Sequence, residues 1–292
     1  MVSGAMARPT VSVVLTTYNR AQVLGETLRG LLGQTFRDFE LLVCDDASED
    51  GTGEVVREFA RCDPRVSYLG TGSHLGMPGN LNRGIRAAVG EYIANLHDGD
   101  IYAPTLLESW KAILDRYPSA GFVFNAYAHL DARGCVRRVQ RMPFDSGLVP
   151  GRRLLEDFFF RSWRFWSPVW GTAMVRRQVY DDVGLLDPRY GFLADVDLWM
   201  RIAERWDVGY VDEVLIQLPS RRTLPRQVRS AWFKELSSLW AMFWRARVRH
   251  FRGRPCRLAT EALRHCVYMV ESFGFWALAA AARRLYYSLL VR

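Results

Sequence analysis

The sequence lacks the glycine-rich loops with which many α/β sheets hold phosphates. No G-x-G-x-x-G follows the first β-rich run, which leads instead into TTYNRAQVLGE, and G-x-x-x-x-G-K-[ST] is absent, so neither a dinucleotide fingerprint nor a P-loop is available. Cysteines are few, odd in number and scattered: Cys44, Cys62, Cys135, Cys256 and Cys266 have neither C-x-x-C nor Cys/His ligand spacing, which excludes a disulfide framework or a zinc site and fits a reducing cytoplasm. No positive stretch followed by an apolar segment opens the chain, and the longest uncharged window, Val66 to Asn82, is polar and 17 residues long; neither a signal peptide nor a membrane-spanning helix is expected. There is also no internal repeat and no low-complexity linker.

What is present is a 292-residue chain, 49% hydrophobic and 24% charged, enough for one large globular domain with an appendage. Its net charge of +8 is unevenly spread: residues 220–292 carry 15 Lys and Arg against 3 Asp and Glu, whereas residues 1–219 carry 24 against 28. The basicity belongs to the tail, and charge alone does not say whether its partner is a nucleic acid, an anionic membrane or an acidic protein.

From Val11 onward, short β-rich runs alternate with helical patterns. VSVVLTT, FELLVCD, RVSYLG, EYIANL and AGFVFNAY read as strands, with helices between them marked by apolar spacings such as Leu24, Leu28, Leu31 and Leu32. This alternation predicts right-handed βαβ units and a mostly parallel sheet with helices on both faces. Ligands of such sheets sit beyond the carboxyl ends of the strands. Three polar clusters, TTYNR, DDAS and HDGD, therefore fall on one rim. After residue 130 the pattern is less regular: HLDARGCVRRV suggests a hairpin, DVDLWMRIAERW a helix, and DVGYVD a short strand.

Asp98 and Asp100 flank Gly99 directly after EYIANL, where a solvated turn or a divalent cation would each explain two neighbouring carboxylates. DDAS reads either as helix-capping material or as a ribose or base contact at the end of strand two. The blocks VSVVLTTYNR, QTFRDFELLVCDDASEDGT, GMPGNLNRGIRAAVGEYIANLHDGDIY and FLADVDLWMRIA, in this order and spacing, resemble the inverting family 2 glycosyltransferases across roughly residues 10–215. The resemblance implies the GT-A fold for residues 10–219, with a nucleotide-sugar half over about 10–115 and an acceptor half over about 116–219. Residues 1–9 are a tail, and 220–292 a C-terminal helical extension.

The resemblance also implies a nucleotide-diphospho-sugar donor, with a UDP-sugar favoured. Thr16, Tyr18 and Asp46 match positions around the base and ribose, with Asn19 and Asp45 as further candidate donor contacts, and His97, Asp98 and Asp100 occupy the metal and diphosphate motif. Mn²⁺ or Mg²⁺ is the implied cofactor, with Asp100 as principal ligand and Asp98 second. Many relatives read D-x-D-D, and His97 and Gly99 stand at the first and third of those places. Asp195 matches the general base, with Ala194 where many members carry Glu. Asn82 and Arg83 are candidate donor contacts on the preceding helix, while His74 reads as a surface histidine. Trp170, in WGTAMVRR, and Asp197 are acceptor-side candidates, and the aromatic run with Trp163 and Trp166 is either a stacking platform or core.

These expectations describe single-sugar transfer, since the QxxRW motif of processive synthases is missing. The acceptor expected is a glycan or lipid-linked glycan of cell-surface polysaccharide. The basic, aromatic extension can be an interfacial anchor for an anionic membrane, giving a cytoplasmic protein peripheral at the inner membrane face, or a packing or dimer element. No nucleic-acid partner is expected, and a homo-oligomer is compatible with the sequence. The alternative is a non-catalytic nucleotide-sugar-binding scaffold whose tail recruits partners.

Overall fold

The computed structural model describes residues 8–161, 169, 171–220, 244–245, 248–250 and 260. The chain divides into two compact units, Met1–Phe158 with Ser167–Leu224, and Phe159–Trp166 with Pro225–Arg292. The expected helical extension and the aromatic segment with Trp163, Trp166 and Trp170 lie essentially outside the described residues.

The first unit is centred on one sheet. Strand β1 (Val11–Thr17) is flanked by β2 (Phe39–Asp45) and β4 (Tyr92–His97), and β3 (Val66–Gly70) lies beyond β2, all in parallel register. β1 is buried at every residue, as expected of a strand covered on both faces, which is why it reads as a continuous apolar run rather than an alternation. On the other side of β4 the order continues through β9 (Ala173–Arg176), β6 (Ala120–Leu130) and β10 (Asp207–Leu218) to the two-residue β5 (Ile101–Tyr102). β7 (Val136–Gln140) forms the expected hairpin with β6, and β8 (Gly147–Val149) pairs with β10. β10 is parallel to β6, whereas β9 is antiparallel to both β4 and β6, so the sheet is mixed: β1, β2, β3, β4, β6 and β10 run one way and the other strands the opposite way, which leaves the sheet less parallel than the alternation predicts.

Helices cover both faces. α1 (Ala21–Leu32), α2 (Thr52–Cys62) and α4 (Leu106–Arg116) bury Leu24, Leu28, Leu31, Val56, Leu107 and Trp110 in one cluster with Val13, Leu15, Leu41 and Leu96. The opposite face takes α3 (Gly76–Ala87), which sits so close that a Cβ on Gly84 would lie 2.2 Å from Val14 Cγ1. After α5 (Gly151–Arg161) and α6 (Arg177–Val183) comes a 3-10 segment, Pro188–Leu193. It leads into α7 (Ala194–Ala203), whose Trp199 packs on Phe122 with ring centroids 4.9 Å apart. Among the described residues no helix is long and apolar enough to cross a membrane, and Cys44, Cys62 and Cys135 are free thiols.

The antiparallel β9 positions the site. Its register pairs Asn95 with Ala173, so residues just before β9 run beside the carboxyl end of β4. α7 begins at the same rim.

Candidate active site

The loops after β1 and β2 are tied to one another before either can contact a ligand. Asn19 adopts a left-handed φ of 52°, a conformation asparagine tolerates better than most residues. Its backbone N–H donates to Ser48 Oγ at 2.8 Å, and its side-chain oxygen accepts from Glu49 N at 2.9 Å. The first N–H groups of α1 are satisfied from the second loop: Arg20 N donates to Thr52 Oγ1 at 2.9 Å and Ala21 N to Asp50 Oδ2 at 3.1 Å. DDASEDGT thus caps the preceding helix, beyond any role at its own.

The paired aspartates hold different partners. Asp45 accepts from Ser48 N at 3.2 Å and from the Tyr68 hydroxyl at 2.8 Å, which staples the turn to β3. Asp46 accepts from the N–H groups of Leu75 and Gly76 at 2.7 and 2.9 Å, and His74 Nδ1 lies 2.9 Å from its Oδ2. The His74 ring also packs on Tyr18, centroids 4.5 Å apart, with Tyr18 45% exposed. An exposed aromatic face beside a carboxylate and an imidazole is a surface on which a flat heterocycle can stack and be hydrogen-bonded. His74 thus has a place at this corner that its polar surroundings in the sequence concealed; the available signal was its position just after strand three, on the same rim.

At the end of β4, the Tyr102 hydroxyl clamps the turn by accepting from His97 N at 3.0 Å and donating to His97 O at 2.7 Å. Gly99 has φ 75°, and its N–H donates to Thr27 Oγ1 of α1 at 3.0 Å. A Cβ at Gly99 would meet only Val23 Cγ2, at 3.9 Å, so backbone conformation rather than lack of room favours glycine. Asp98 and Asp100 on either side are both buried, and Arg20 Nε lies 3.4 Å from Asp98 Oδ1. Among the described residues no three His, Cys, Asp or Glu side chains form a metal-binding group. Two buried carboxylates on one turn are nevertheless a hard-oxygen donor set that fits Mg²⁺ or Mn²⁺ when a ligand's phosphate oxygens complete the shell.

Asp195, at the start of α7, is partly buried, and its Oδ1 accepts from Val196 N at 2.8 Å. Burial pushes its carboxyl from 3.8 up to about 7 despite that hydrogen bond. Such a carboxylate is poised to take a proton near neutral pH. Thr16 Oγ1 is 3.1 Å from His97 Nδ1, and both His97 and Asp195 border Gly171.

Other candidates have different places. Asn82 is buried and uses both ends of its amide on Leu186, donating to its O at 2.8 Å and accepting from its N at 3.0 Å. Arg83 donates to Gly70 O at 2.8 Å and Asn80 Oδ1 at 3.2 Å, beside the end of β3. Asp197 is buried and pairs with Arg201 at 2.7 Å, whose guanidinium also donates to Leu185 O at 2.8 Å and holds the loop after α6. Trp170 is outside the described residues.

The family model described as Glycosyl transferase family 2 matches residues 12–184, more than half of the chain. The chain is 29% identical over 205 residues to the putative glycosyltransferase EpsE of Bacillus subtilis, covering 69% of this chain and 69% of that one. Among solved structures it is similar to S. aureus TarS 1-349, described in complex with UDP, at TM-score 0.63 and 17% identity, covering 82% of this chain and 65% of that one. It is also similar to the mannosyltransferase PcManGT of Pyrobaculum calidifontis, described in complex with GDP-Man and Mn²⁺, at TM-score 0.59 and 20% identity, covering 98% and 77%. The chain thus spans about two thirds of the length of TarS 1-349 and of EpsE, and 44% of the longer TarS chain.

Proposed function

Given that the chain belongs to glycosyl transferase family 2, we propose that it moves one sugar from a nucleotide-diphospho-sugar, a UDP-sugar for preference, to an acceptor hydroxyl with inversion at the anomeric carbon. The acceptor in this reading is a glycan or lipid-linked glycan of cell-surface polysaccharide. The observation that carries it is the Asp195 carboxyl, raised to about 7 and bordering the same glycine as His97 of the β4 turn. A proton acceptor of suitable affinity therefore stands beside the rim where a donor diphosphate would lie.

Each residue set then has a task. Tyr18 offers a stacking face to the base, with Asp46 and His74 as its polar edge. Asp98 and Asp100 would hold the cation, which when bound neutralises charge growing on the departing diphosphate. Asp195 Oδ2 takes the proton of the acceptor hydroxyl as that oxygen forms its bond to the anomeric carbon. The bond from that carbon to the diphosphate oxygen breaks, and its electron pair leaves with the nucleotide. The neighbours described with UDP and with GDP-Man and Mn²⁺ support a nucleotide-sugar donor and a divalent cation.

A panel of nucleotide sugars, incubated with and without Mn²⁺ and followed for nucleotide release, tests the proposal. Slow, cation-dependent release from one donor class is the expected result. Tight binding of a donor with no release, with or without candidate acceptors, would instead favour the non-catalytic scaffold.

A further inference from the structure

We propose that Gly171 is a positioning residue for the transfer step: the space left by its missing side chain lets the Asp195 carboxylate and the His97 imidazole occupy adjoining places. The proposal rests on Asp195 acting as the base. Gly171 does not owe its identity to backbone conformation, since its φ lies outside the left-handed region. Space is what excludes other residues here. A Cβ built on Gly171 would stand 2.7 Å from His97 Nε2 and 2.9 Å from Asp195 Oδ2, with His97 Cδ2 next at 3.5 Å. The first two separations are shorter than carbon tolerates against nitrogen or oxygen, so both side chains, or the backbone at residue 171, would have to shift.

Neither is free to do so cheaply. The backbone N–H and C=O of His97 are both bonded to the Tyr102 hydroxyl, at 3.0 and 2.7 Å, and its Nδ1 is 3.1 Å from Thr16 Oγ1. Asp195 sits at the first turn of α7 with Oδ1 bonded to Val196 N at 2.8 Å. Both groups are thus held from the side away from Gly171, and both present their remaining heteroatom towards it. The approach follows from topology: β9 runs antiparallel to β4, and continuing its register beyond Asn95 and Ala173 brings Gly171 alongside His97. The segment WGTAMVRR therefore contributes an absence to the site, in addition to whatever its neighbours contribute.

Gly171→Ala tests this in the full chain. A displacement of the base by a fraction of an ångström to one ångström lowers kcat about 10- to 100-fold. UDP affinity measured by calorimetry without acceptor should fall by clearly less than kcat does, because the new methyl reaches Asp195 directly, whereas Tyr18 and Asp46 are not among its nearest contacts. The same substitution in a His97→Ala background, where the nearer obstacle is gone, should cost distinctly less in kcat than it does in the parent. Crystal structures of the parent and of Gly171→Ala should show Asp195 Oδ2 or the His97 ring moved.

An alanine accommodated with both side chains in place would overturn the proposal whatever the activity. So would an unchanged kcat, an equal penalty in both backgrounds, or a parallel loss of UDP binding and turnover. Failure of the transfer reading is distinct: it appears as no turnover by the parent with any donor, and the paired crystal structures still decide whether Gly171 sets the Asp195 and His97 positions.

Discussion

Replacing Asp195 with Asn should abolish transfer and, at alkaline pH, make the protein more stable. The carboxyl is held at about 7 by burial, against 3.8 for the ordinary group. Between about pH 4 and pH 7 the unfolded chain gives up this proton while the folded chain retains it, so the folded state binds more protons and its stability falls as pH rises through that window. Above pH 7 the full cost is present. The rise from 3.8 to about 7, at roughly 1.4 kcal/mol per pH unit, sets a ceiling of about 4 kcal/mol, and partial exposure of the residue brings the expected gain on substitution to about 2 kcal/mol at pH 8. Asn is a neutral near-isostere and escapes that cost, so its advantage should be close to nothing at pH 4–4.5 and largest at pH 8. Denaturant unfolding of both proteins at pH 4.5, 6 and 8 measures the difference, alongside a donor-transfer assay. Equal stability at pH 8, or a gain independent of pH, would refute the burial argument. Undiminished turnover would refute the role as base. In the parent, kcat should rise with pH through about 7 as the carboxyl becomes able to accept a proton.

Other outcomes are expected from the same geometry. His74→Ala removes the ring against Tyr18 and a partner of Asp46, and should weaken UDP binding about 5- to 10-fold by calorimetry while leaving kcat at saturating donor nearly unchanged. Asp100→Asn should raise the Mn²⁺ concentration that half-saturates UDP binding by about tenfold or more. Asp98→Asn should raise it less, because Asp98 already has Arg20 beside it. Asn82→Ala should cost about 2–3 kcal/mol in denaturant unfolding, since it orphans the buried N–H and C=O of Leu186, and should leave UDP affinity unaltered; a selective loss of UDP affinity would instead support Asn82 as a donor contact.

The parallel half of the sheet was legible because its strands are buried on both faces and its helices carry apolar residues at helical spacing, so VSVVLTT, FELLVCD and EYIANL declare themselves locally. β9 did not, since four residues of AMVR carry no period, and its insertion between β4 and β6 is decided by partners about 50 to 80 residues away. DVGYVD was readable as a strand, but β10 runs on to Leu218 through register shifts that interrupt any alternation. The rim clusters were legible from topology alone, as each follows a parallel strand. The partners of Asn82 and His74 were not, because a helical face or a loop position says nothing about which distant backbone group or carboxylate a polar side chain meets, whereas Asp197 and Arg201 stand at i,i+4 on one helix and their pairing was readable from spacing.

The neighbouring carboxylates of HDGD illustrate how such a costly arrangement persists. Burying Asp98 and Asp100 on one turn incurs both desolvation and mutual repulsion. Arg20 offsets part of it, but its side chain is 46% exposed and stands 3.4 Å away, so the pair contributes no more than about 1 kcal/mol. The turn itself is held by other means: the Tyr102 hydroxyl on both backbone groups of His97, and Thr27 on the N–H of Gly99. Those bonds keep the two carboxylates where they are while Arg20 beside Asp98 is only weakly held. In the proposed reading, a divalent ion held by Asp98 and Asp100 would carry twice the charge of Arg20, and the turn, fixed by bonds that do not involve Arg20, would need no remodelling to receive it.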